Sequence, residues 1–381
     1  MTTDDAALSG RAFPFNAAVA AVRDLHPYQP GKPIGELARE LGVTDIVKLA
    51  SNESPLGPSP HVAEAISALS AELGRYPDGA GFELRQALSE ALGVAPAQLT
   101  LGNGSNDVLD VAARVFLGPG REAVFSEHAF IVYSLVTQAV GATARVAPAD
   151  SGYGHDLDAM RRLIGRNTRM VFIANPNNPT GTWLPAERLR AFMDSAPGDV
   201  MVVLDQAYVE YVDAPTYPDA LDWLPQYPNL IITRSFSKAY GLAGMRVGYG
   251  VSHPDVADLL NRVRQPFNVN SLAQVAALTA LADGAHLRRA VDLNRAGLRR
   301  LARICAAQGF DYIPSIANFI AVAFGDQAAA YAQSLLRQGV IVRPVANHGL
   351  PRHLRVSVGT AAELRRFEQA LRIAKAEVTA A

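Results

Sequence analysis

Short apolar runs alternate with amphipathic runs along the middle of the chain, and this alternation restricts the fold more than any other feature. The apolar runs are rich in branched residues, as buried strands are, and cover residues 122–125, 144–146, 170–174, 201–204 and 229–234. The runs between them have a helical period over residues 129–140, 157–163 and 186–195. Strands that alternate with helices predict a mainly parallel sheet with helices on both faces, which is an α/β fold.

Polar side chains follow three of these predicted strands, at the point where each strand ends. Asn175 and Asn178 follow one strand, Asp205 ends the next, and Ser235 and Lys238 follow the strand after that. Ligands of parallel sheets bind at the carboxyl ends of the strands. The sequence therefore predicts a binding site at this edge of the sheet.

The two ends of the chain differ from this middle part. Residues 271–308 favour a nearly continuous helix apart from Gly284, and beyond them short strands at 319–323, 340–343 and 354–358 mix with helices at 327–338 and 362–378. In the lead-in, residues 16–25 favour one helix, and three prolines favour irregular structure over residues 26–33. We predict an N-terminal arm and part of a small domain at 1–50, a large domain at 51–270, and a smaller α+β domain with its linking helix at 271–381.

Composition excludes several classes of protein. The 35 basic and 36 acidic residues give a net charge of −1, so nothing indicates a nucleic-acid or membrane partner. The single Cys305 has no partner for an intramolecular disulfide, and its helical surroundings indicate a small buried hydrophobe rather than a catalytic thiol. The acidic start lacks the basic region of a signal peptide, and no apolar run is long enough to span a bilayer. We expect a cytoplasmic globular protein without a metal site.

The segment after the predicted strand at 229–234 contains several residues that can bind or react with a ligand. Residues 235–249 read Ser-Phe-Ser-Lys-Ala-Tyr-Gly-Leu-Ala-Gly-Met-Arg-Val-Gly-Tyr. Ser235, Ser237 and Arg246 suit an anionic group, and Lys238 beside them is an amine that can attack a carbonyl. A helix that opens at Ser105 and Asn106, after two glycines, can present free backbone N–H groups to the same anion.

Two further features place polar groups at the same edge of the predicted sheet. Asp205 ends a strand of four apolar residues, where a carboxylate is costly unless it meets a cation or donors; the alternative is that it caps the next turn. Tyr208 lies three positions on, and Asn178 belongs to the rigid loop Asn-Pro-Asn-Asn-Pro-Thr-Gly at 175–181.

Taken together, the motifs resemble those of a known family. The loop Asn-Pro-x-Asn-Pro-Thr-Gly, the pair Asp-x-x-Tyr and the run Ser-x-Ser-Lys…Gly-x-Arg-x-Gly are similar, in order and spacing, to those of the fold-type I, class II aminotransferases. The resemblance covers about residues 20–375 and implies pyridoxal 5'-phosphate as cofactor. It implies that Lys238 holds the aldehyde as a Schiff base, Asp205 the ring nitrogen, and Asn178 and Tyr208 the phenolic oxygen.

The same resemblance assigns the remaining cofactor contacts. The phosphate is held by Ser235, Ser237, Arg246 and the N–H groups of Ser105 and Asn106. Phe130 matches the position of a tyrosine that stacks on the ring, and keeps the stacking face without the hydroxyl. Tyr76 matches a tyrosine that reaches the cofactor phosphate of the neighbouring subunit, which implies a homodimer.

Within that class the chain looks most like the histidinol-phosphate aminotransferases, which it resembles in His26-Pro27-Tyr28, Val342-Arg343 and the segments 49–53, 75–78 and 354–360. Substrate contacts then fall on Tyr28, Asn52, Arg343 and Arg355, with the two arginines binding the anionic group. The implied reaction transfers an amino group from L-histidinol phosphate to 2-oxoglutarate. Residues 127–133, Glu-His-Ala-Phe-Ile-Val-Tyr, depart from the usual Pro-Thr-Tyr pattern.

Three other functions stay open on the same scaffold. One is an aminotransferase for aromatic or many amino acids, and a second is a lyase such as a threonine-phosphate decarboxylase. A third is a regulator that binds the cofactor without catalysis. The first 50 residues carry neither a helix-turn-helix pattern nor a basic excess, which disfavours the regulator.

Overall fold

A computed structural model describes residues 13–28 and 31–380. The acidic start, two positions of the proline-rich lead-in (residues 29 and 30) and residue 381 lie outside the described residues. None of the described helices is both long and apolar enough to cross a membrane.

A seven-stranded sheet forms the centre of the larger part of the molecule. Its strands are β2 (Leu99–Gly102), β3 (Glu122–Ser126), β4 (Thr143–Ala147), β5 (Thr168–Ala174), β6 (Met201–Asp205), β7 (Leu230–Ser235) and β8 (Gly248–Ser252). They lie in the order β2-β8-β7-β6-β5-β3-β4, and only β8 runs antiparallel to its neighbours. The prediction of a mainly parallel sheet is confirmed.

Strand β8 was not among the predicted strands, and its glycines explain both its weak sequence signal and its position. A Cβ at Gly250 would lie 2.8 Å from the Val108 side chain, and one at Gly248 would lie 2.4 Å from the Ser105 backbone nitrogen. Glycine therefore lets the start of the helix at Ser105 approach the sheet closely, at the cost of the branched residues that normally mark a strand.

Helices cover both faces of this sheet, and others pack instead on the smaller strands described below. The helices are α1 (Ala20–Arg23), α2 (Ile34–Leu41), α3 (Pro60–Leu69), α4 (Phe82–Leu92), α5 (Ser105–Phe116), α6 (Ile131–Ala139), α7 (Leu157–Leu163), α8 (Ala186–Ser195), α9 (Pro254–Val263), α10 (Ser271–Ala282), α11 (Gly284–Gln308), α12 (Ala328–Arg337) and α13 (Ala361–Ala380). Those that pack on the smaller strands include α2, α12 and α13. Along β5, Val171 and Ile173 join one buried cluster, and Met170 and Phe172 join another. Two apolar cores therefore enclose the sheet, as expected for an α/β fold.

A smaller antiparallel sheet is built from the C-terminal part of the chain. The strands β9 (Tyr312–Ile313), β10 (Phe319–Ala323), β12 (Arg343–Pro344) and β13 (His353–Ser357) lie in the order β12-β13-β10-β9. A separate parallel pair joins β1 (Val47–Lys48) to β11 (Val340–Ile341). The predicted smaller α+β part is therefore present, whereas the boundaries at residues 50 and 270 stay predictions.

Three local predictions differ from the structure. The expected helix at 16–25 is wrong: a 3₁₀ turn at Phe15–Ala17 and the four-residue α1 are separated by extended backbone. No residue of either piece is buried, so packing does not stabilise a longer helix. The long helix breaks at Asp283, whose carboxylate accepts a hydrogen bond from His286 N. The expected strand at 340–343 is divided between two sheets, as β11 and β12.

Candidate active site

One cavity lies where the carboxyl ends of β5, β6 and β7 meet the small sheet. Strand register places Asp205 between Ala174 on one side and Thr233 on the other. All but one of the predicted site residues line this cavity: Tyr28, Asn52, Ser105, Asn106, Phe130, Asn178, Asp205, Tyr208, Ser235, Ser237, Lys238, Arg246, Arg343 and Arg355.

Asp205 is a buried carboxylate with several donors. Its Oδ2 accepts a hydrogen bond from the Tyr133 hydroxyl at 2.8 Å, and its Oδ1 accepts one from Thr233 Oγ1 at 3.0 Å and one from Ala207 N at 3.2 Å. Burial raises the pKa of Asp205, and the bonds from Tyr133 and Thr233 oppose that rise. The carboxylate caps the turn, as the alternative interpretation held, and also lines the cavity.

Lys238 is a half-buried amine with an unusually low pKa. Burial, followed by the positive charge of Arg355, lowers the pKa of Lys238 from 10.5 to about 8. Its Nζ lies 5.5 Å from the centre of the Tyr208 ring. A sizeable fraction of this amine is therefore neutral, and nucleophilic, near physiological pH.

A guanidinium group and serine hydroxyls lie near the start of helix α5. Arg246 Nη1 donates a hydrogen bond to Ser237 Oγ at 3.4 Å, and its side chain lies against Gly104. Gly104 has φ +82°, and a Cβ there would lie 2.4 Å from Arg246 Nη2. Only glycine lets the guanidinium lie over the backbone just before Ser105, where helical N–H groups attract negative charge.

Residues of the small sheet supply a second cationic region. Arg343 and Arg355 are directly opposed across the antiparallel pair β12–β13. Arg355 is buried, and donates from Nη1 to Asn178 Oδ1 at 2.6 Å and from Nη2 to the Ala50 carbonyl at 2.8 Å. Burial lowers the pKa of Arg355 to about 10, so the side chain stays charged at neutral pH.

The hydroxyl of Tyr208 is oriented by Asn52. Asn52 Nδ2 donates to it at 2.9 Å, so the hydroxyl hydrogen of Tyr208 remains available to donate elsewhere. Burial raises the pKa of Tyr208 to about 12, and the hydroxyl stays protonated at neutral pH. Asn178 likewise keeps its amide N–H₂ after its oxygen accepts from Arg355.

Three residues in or next to the cavity were missed by sequence reasoning. Tyr133 and Thr233 bind Asp205, but Thr233 is recognisable only from the β6–β7 register and Tyr133 only from the packing of α6 on the sheet. His348 lines the cavity from a 3₁₀ turn at Ala346–His348. Of the three, only Tyr133 could have been suspected from the sequence, because it lies one helical turn after the predicted site residue Phe130.

Tyr76 is the predicted site residue that does not line the cavity. Its side chain is 83% exposed, and its ring stacks on Phe267 with the ring centres 4.7 Å apart. Within one chain it therefore has no access to the site, and its predicted role requires a second subunit.

Two other features bear on chemistry. Cys305 lies in the small-domain core, and burial raises the pKa of its thiol to about 12, so it behaves as a small hydrophobe. Among residues 13–28 and 31–380, no group of three or more His, Cys, Asp or Glu side chains could hold a metal ion.

Known proteins resemble the chain along nearly its whole length. The family model described as aminotransferase class I and II matches residues 44–371. Histidinol-phosphate aminotransferase 1 of Nitrosococcus oceani is 55% identical over 94% of this chain and 96% of that protein. Histidinol-phosphate aminotransferase 2 of Pseudomonas fluorescens is 58% identical over 93% of this chain and 96% of that protein.

A solved structure extends the likeness to three dimensions. The crystal structure of a histidinol-phosphate aminotransferase from Sinorhizobium meliloti, in complex with pyridoxal-5'-phosphate, superposes with a TM-score of 0.88 at 30% identity. The match covers 97% of this chain and 98% of that chain.

Proposed function

The chain belongs to the class I and II aminotransferases, and on that premise we propose that it is a pyridoxal-phosphate-dependent histidinol-phosphate aminotransferase. The reaction converts L-histidinol phosphate and 2-oxoglutarate to imidazole-acetol phosphate and L-glutamate, a step of histidine biosynthesis. Relatives that carry this name cover almost all of the chain, and the arrangement of the cavity suits both the cofactor and the substrate.

The cavity fits the cofactor on the chemistry of its donor set. Asp205 is a buried carboxylate whose pKa is raised by burial, and a pyridinium N–H beside it would offset the cost of desolvation. The anion-binding groups Ser105, Asn106, Ser235, Ser237 and Arg246 suit the phosphate. Phe130 provides a flat apolar face for the ring, and Asn178 and Tyr208 provide donors for its phenolic oxygen.

Pyridoxal phosphate bound there supplies an aldehyde that takes up the amino group and a protonated ring that withdraws electrons. Lys238 would hold the aldehyde, and its Nζ would serve as the base that takes the proton from the substrate Cα. The pKa of about 8 suits this role, because the amine can both accept and return a proton near neutral pH. Asp205 would hold the proton on the ring nitrogen.

The opposed pair Arg343 and Arg355 is the observation that carries the choice of substrate. Like charges directly opposite across two strands are unfavourable, and the charge of Arg343 contributes to the lowered pKa of Arg355. An anion between them removes that cost. Arg355 also retains a buried Nε without a hydrogen-bond partner among the residues that the structure describes. The arginines are proposed to bind the substrate together with Tyr28 and Asn52.

A phosphate monoester satisfies this pair better than a carboxylate. It carries close to two negative charges and three acceptor oxygens, so it can bind both guanidinium groups at once. Histidinol phosphate has a phosphate and no α-carboxylate, whereas phenylalanine has the reverse. We therefore favour the phosphate substrate over an aromatic amino acid.

The test is competition among histidinol phosphate, phenylalanine, tyrosine and O-phosphothreonine at equal concentration, with 2-oxoglutarate as acceptor. Histidinol phosphate should lead in kcat/KM by well over about tenfold. If phenylalanine or tyrosine has the highest kcat/KM, the enzyme is an aromatic amino-acid aminotransferase. The unusual sequence at residues 127–133 would then be the feature that indicates its specificity. Release of CO₂ from O-phosphothreonine would indicate the lyase.

We also propose that the protein is a homodimer and that it is located in the cytoplasm. Tyr76 and Phe267 are 83% and 45% exposed and form one stacked aromatic surface, which a second subunit would cover. In such a dimer Tyr76 would reach the cofactor phosphate of the neighbouring chain. The cytoplasmic location rests on the biosynthetic role, and cell fractionation tests it.

A further inference from the structure

His348 lines the cavity, but the mechanism above does not use it. The residue is buried, and ends a short turn between the strands that carry Arg343 and Arg355. Its Nδ1 lies 3.0 Å from the carbonyl oxygen of Ala129. Because a carbonyl oxygen can only accept, Nδ1 must carry the proton in this contact.

The other ring nitrogen is consequently an acceptor. Burial, the largest cause, and the charges of Arg355 and Arg343 lower the pKa of His348 to about 4, so the ring is neutral near pH 7. Neutral imidazole with its proton on Nδ1 has a lone pair on Nε2. No group within residues 13–28 and 31–380 makes a hydrogen bond to this Nε2.

A reciprocal contact fixes the orientation of this ring. His128 Nδ1 donates to the His348 carbonyl at 2.8 Å, while the His348 ring donates to the carbonyl of the next residue, Ala129. Gly349 has φ +73°, and a Cβ there would lie 3.1 Å from His128 Nδ1. The two buried bonds therefore hold the ring between the large and small parts of the molecule, and its Nε2 is a fixed acceptor.

We propose that His348 Nε2 accepts a hydrogen bond from the imidazole N–H of the substrate and so selects the substrate side chain. The inference rests on the proposed function, because histidinol phosphate brings an imidazole N–H. The arginines recognise the phosphate end, and His348 recognises the ring. A phenyl ring of similar size lacks the donor and leaves Nε2 unpaired.

The experiment compares two amino phosphates that differ only in the ring. Histidinol phosphate is the first, and 2-amino-3-phenylpropyl phosphate is the second. The wild type should prefer the imidazole substrate by about tenfold in kcat/KM, mainly through KM, as expected for one buried hydrogen bond. The His348→Phe variant should lose this preference, because kcat/KM should fall about tenfold further for the imidazole substrate than for the phenyl substrate.

A second variant distinguishes the loss of Nε2 from a disturbance of the local structure. In His348→Asn the side-chain amide can still donate to the Ala129 carbonyl, but no atom replaces Nε2. This variant should also lose the preference. An unchanged preference in His348→Asn, or an equal loss for both substrates, would overturn the inference.

His155 offers a matched control elsewhere in the chain. It is also buried, with Nε2 2.9 Å from the Ala174 carbonyl and a pKa lowered to about 4 by burial, but it does not line the cavity. His155→Phe should change both rates alike and leave the preference intact; a lost preference there would overturn the inference. If the wild type does not convert histidinol phosphate, the proposed function fails and this inference fails with it. Conversion with an unaltered preference in the His348 variants refutes this inference alone.

Discussion

Replacing Lys238 by methionine should stabilise the cofactor-free protein while abolishing amino transfer. Burial, and then the charge of Arg355, lower the pKa of Lys238 from 10.5 to about 8. Since each pKa unit corresponds to about 1.4 kcal/mol, the charged amine costs the folded state up to about 3 kcal/mol. Methionine has a similar length and no charge to desolvate, so it should recover most of this free energy of unfolding.

The sign of the pH dependence follows from the two pKa values. Below about pH 8 the amine is protonated in both the folded and unfolded states, so the folded state bears the full cost and Lys238→Met gains the most. Between about pH 8 and 10.5 the folded state loses its proton first, and the wild type gains stability as the pH rises. Above about pH 10.5 the advantage of the variant should vanish.

Thermal unfolding of the cofactor-free proteins measures this difference. At roughly 2 cal/mol/K per residue over 381 residues, about 3 kcal/mol corresponds to a rise in Tm of about 4 °C near pH 7. Lys48→Met is the control. Lys48 pairs with Glu53 at 2.9 Å near the surface, so its loss should cost at most about 1 kcal/mol and should not stabilise the protein. No gain in Lys238→Met near pH 7, or the same gain above about pH 10.5, would refute the reasoning.

The remaining predictions concern other residues of the site and the proposed dimer. Asp205→Asn should retain the cofactor but lower kcat by about 100-fold or more, because an amide cannot keep the ring nitrogen protonated; unchanged kcat would make Asp205 only a turn cap. Tyr133→Phe should lower the free energy of unfolding of the cofactor-free protein by about 1.5–3 kcal/mol near neutral pH, since it removes a donor to a buried carboxylate. That loss should shrink in acid, where Asp205 is protonated, and a loss independent of pH in urea unfolding contradicts it. Arg355→Leu should cost about 2–4 kcal/mol in kcat/KM for histidinol phosphate, measured in steady state, and a smaller effect there than with phenylalanine would exclude a phosphate contact. Sedimentation should show a dimer that Tyr76→Ala weakens, whereas a fully active wild-type monomer contradicts the role of Tyr76.

Much of the cavity lining was predictable because the residues that form it belong to short sequence motifs. Asp205, Ser235 and Lys238 come directly at or after buried strands, and parallel strands bring their carboxyl ends to one edge whatever their order. The position of each of these residues relative to its own strand was enough to place it in the cavity. The roles of these residues at the cofactor stay proposals that the mutants above test.

Relations between distant strands were not predictable. The glycine-rich segment that forms β8 has no clear strand pattern, so its antiparallel position between β2 and β7 could not be predicted. Residues 340–343 divide between two sheets because their partner strands lie far away in the chain. The helix expected at 16–25 is wrong for a related reason: its residues favour a helix, but none of those in the two short helical pieces is buried.

Most of the chemical groups that line the cavity follow from the sequence alone, because motif spacing relative to the strands is a local property. How those groups act on one another depends on the folded chain. Strand register sets Thr233 beside Asp205 and Arg343 opposite Arg355, and the packing of two domains sets the tautomer of His348. Burial then moves the pKa of Lys238 to about 8, because desolvation depends on all the atoms that surround the amine and not on its neighbours in sequence.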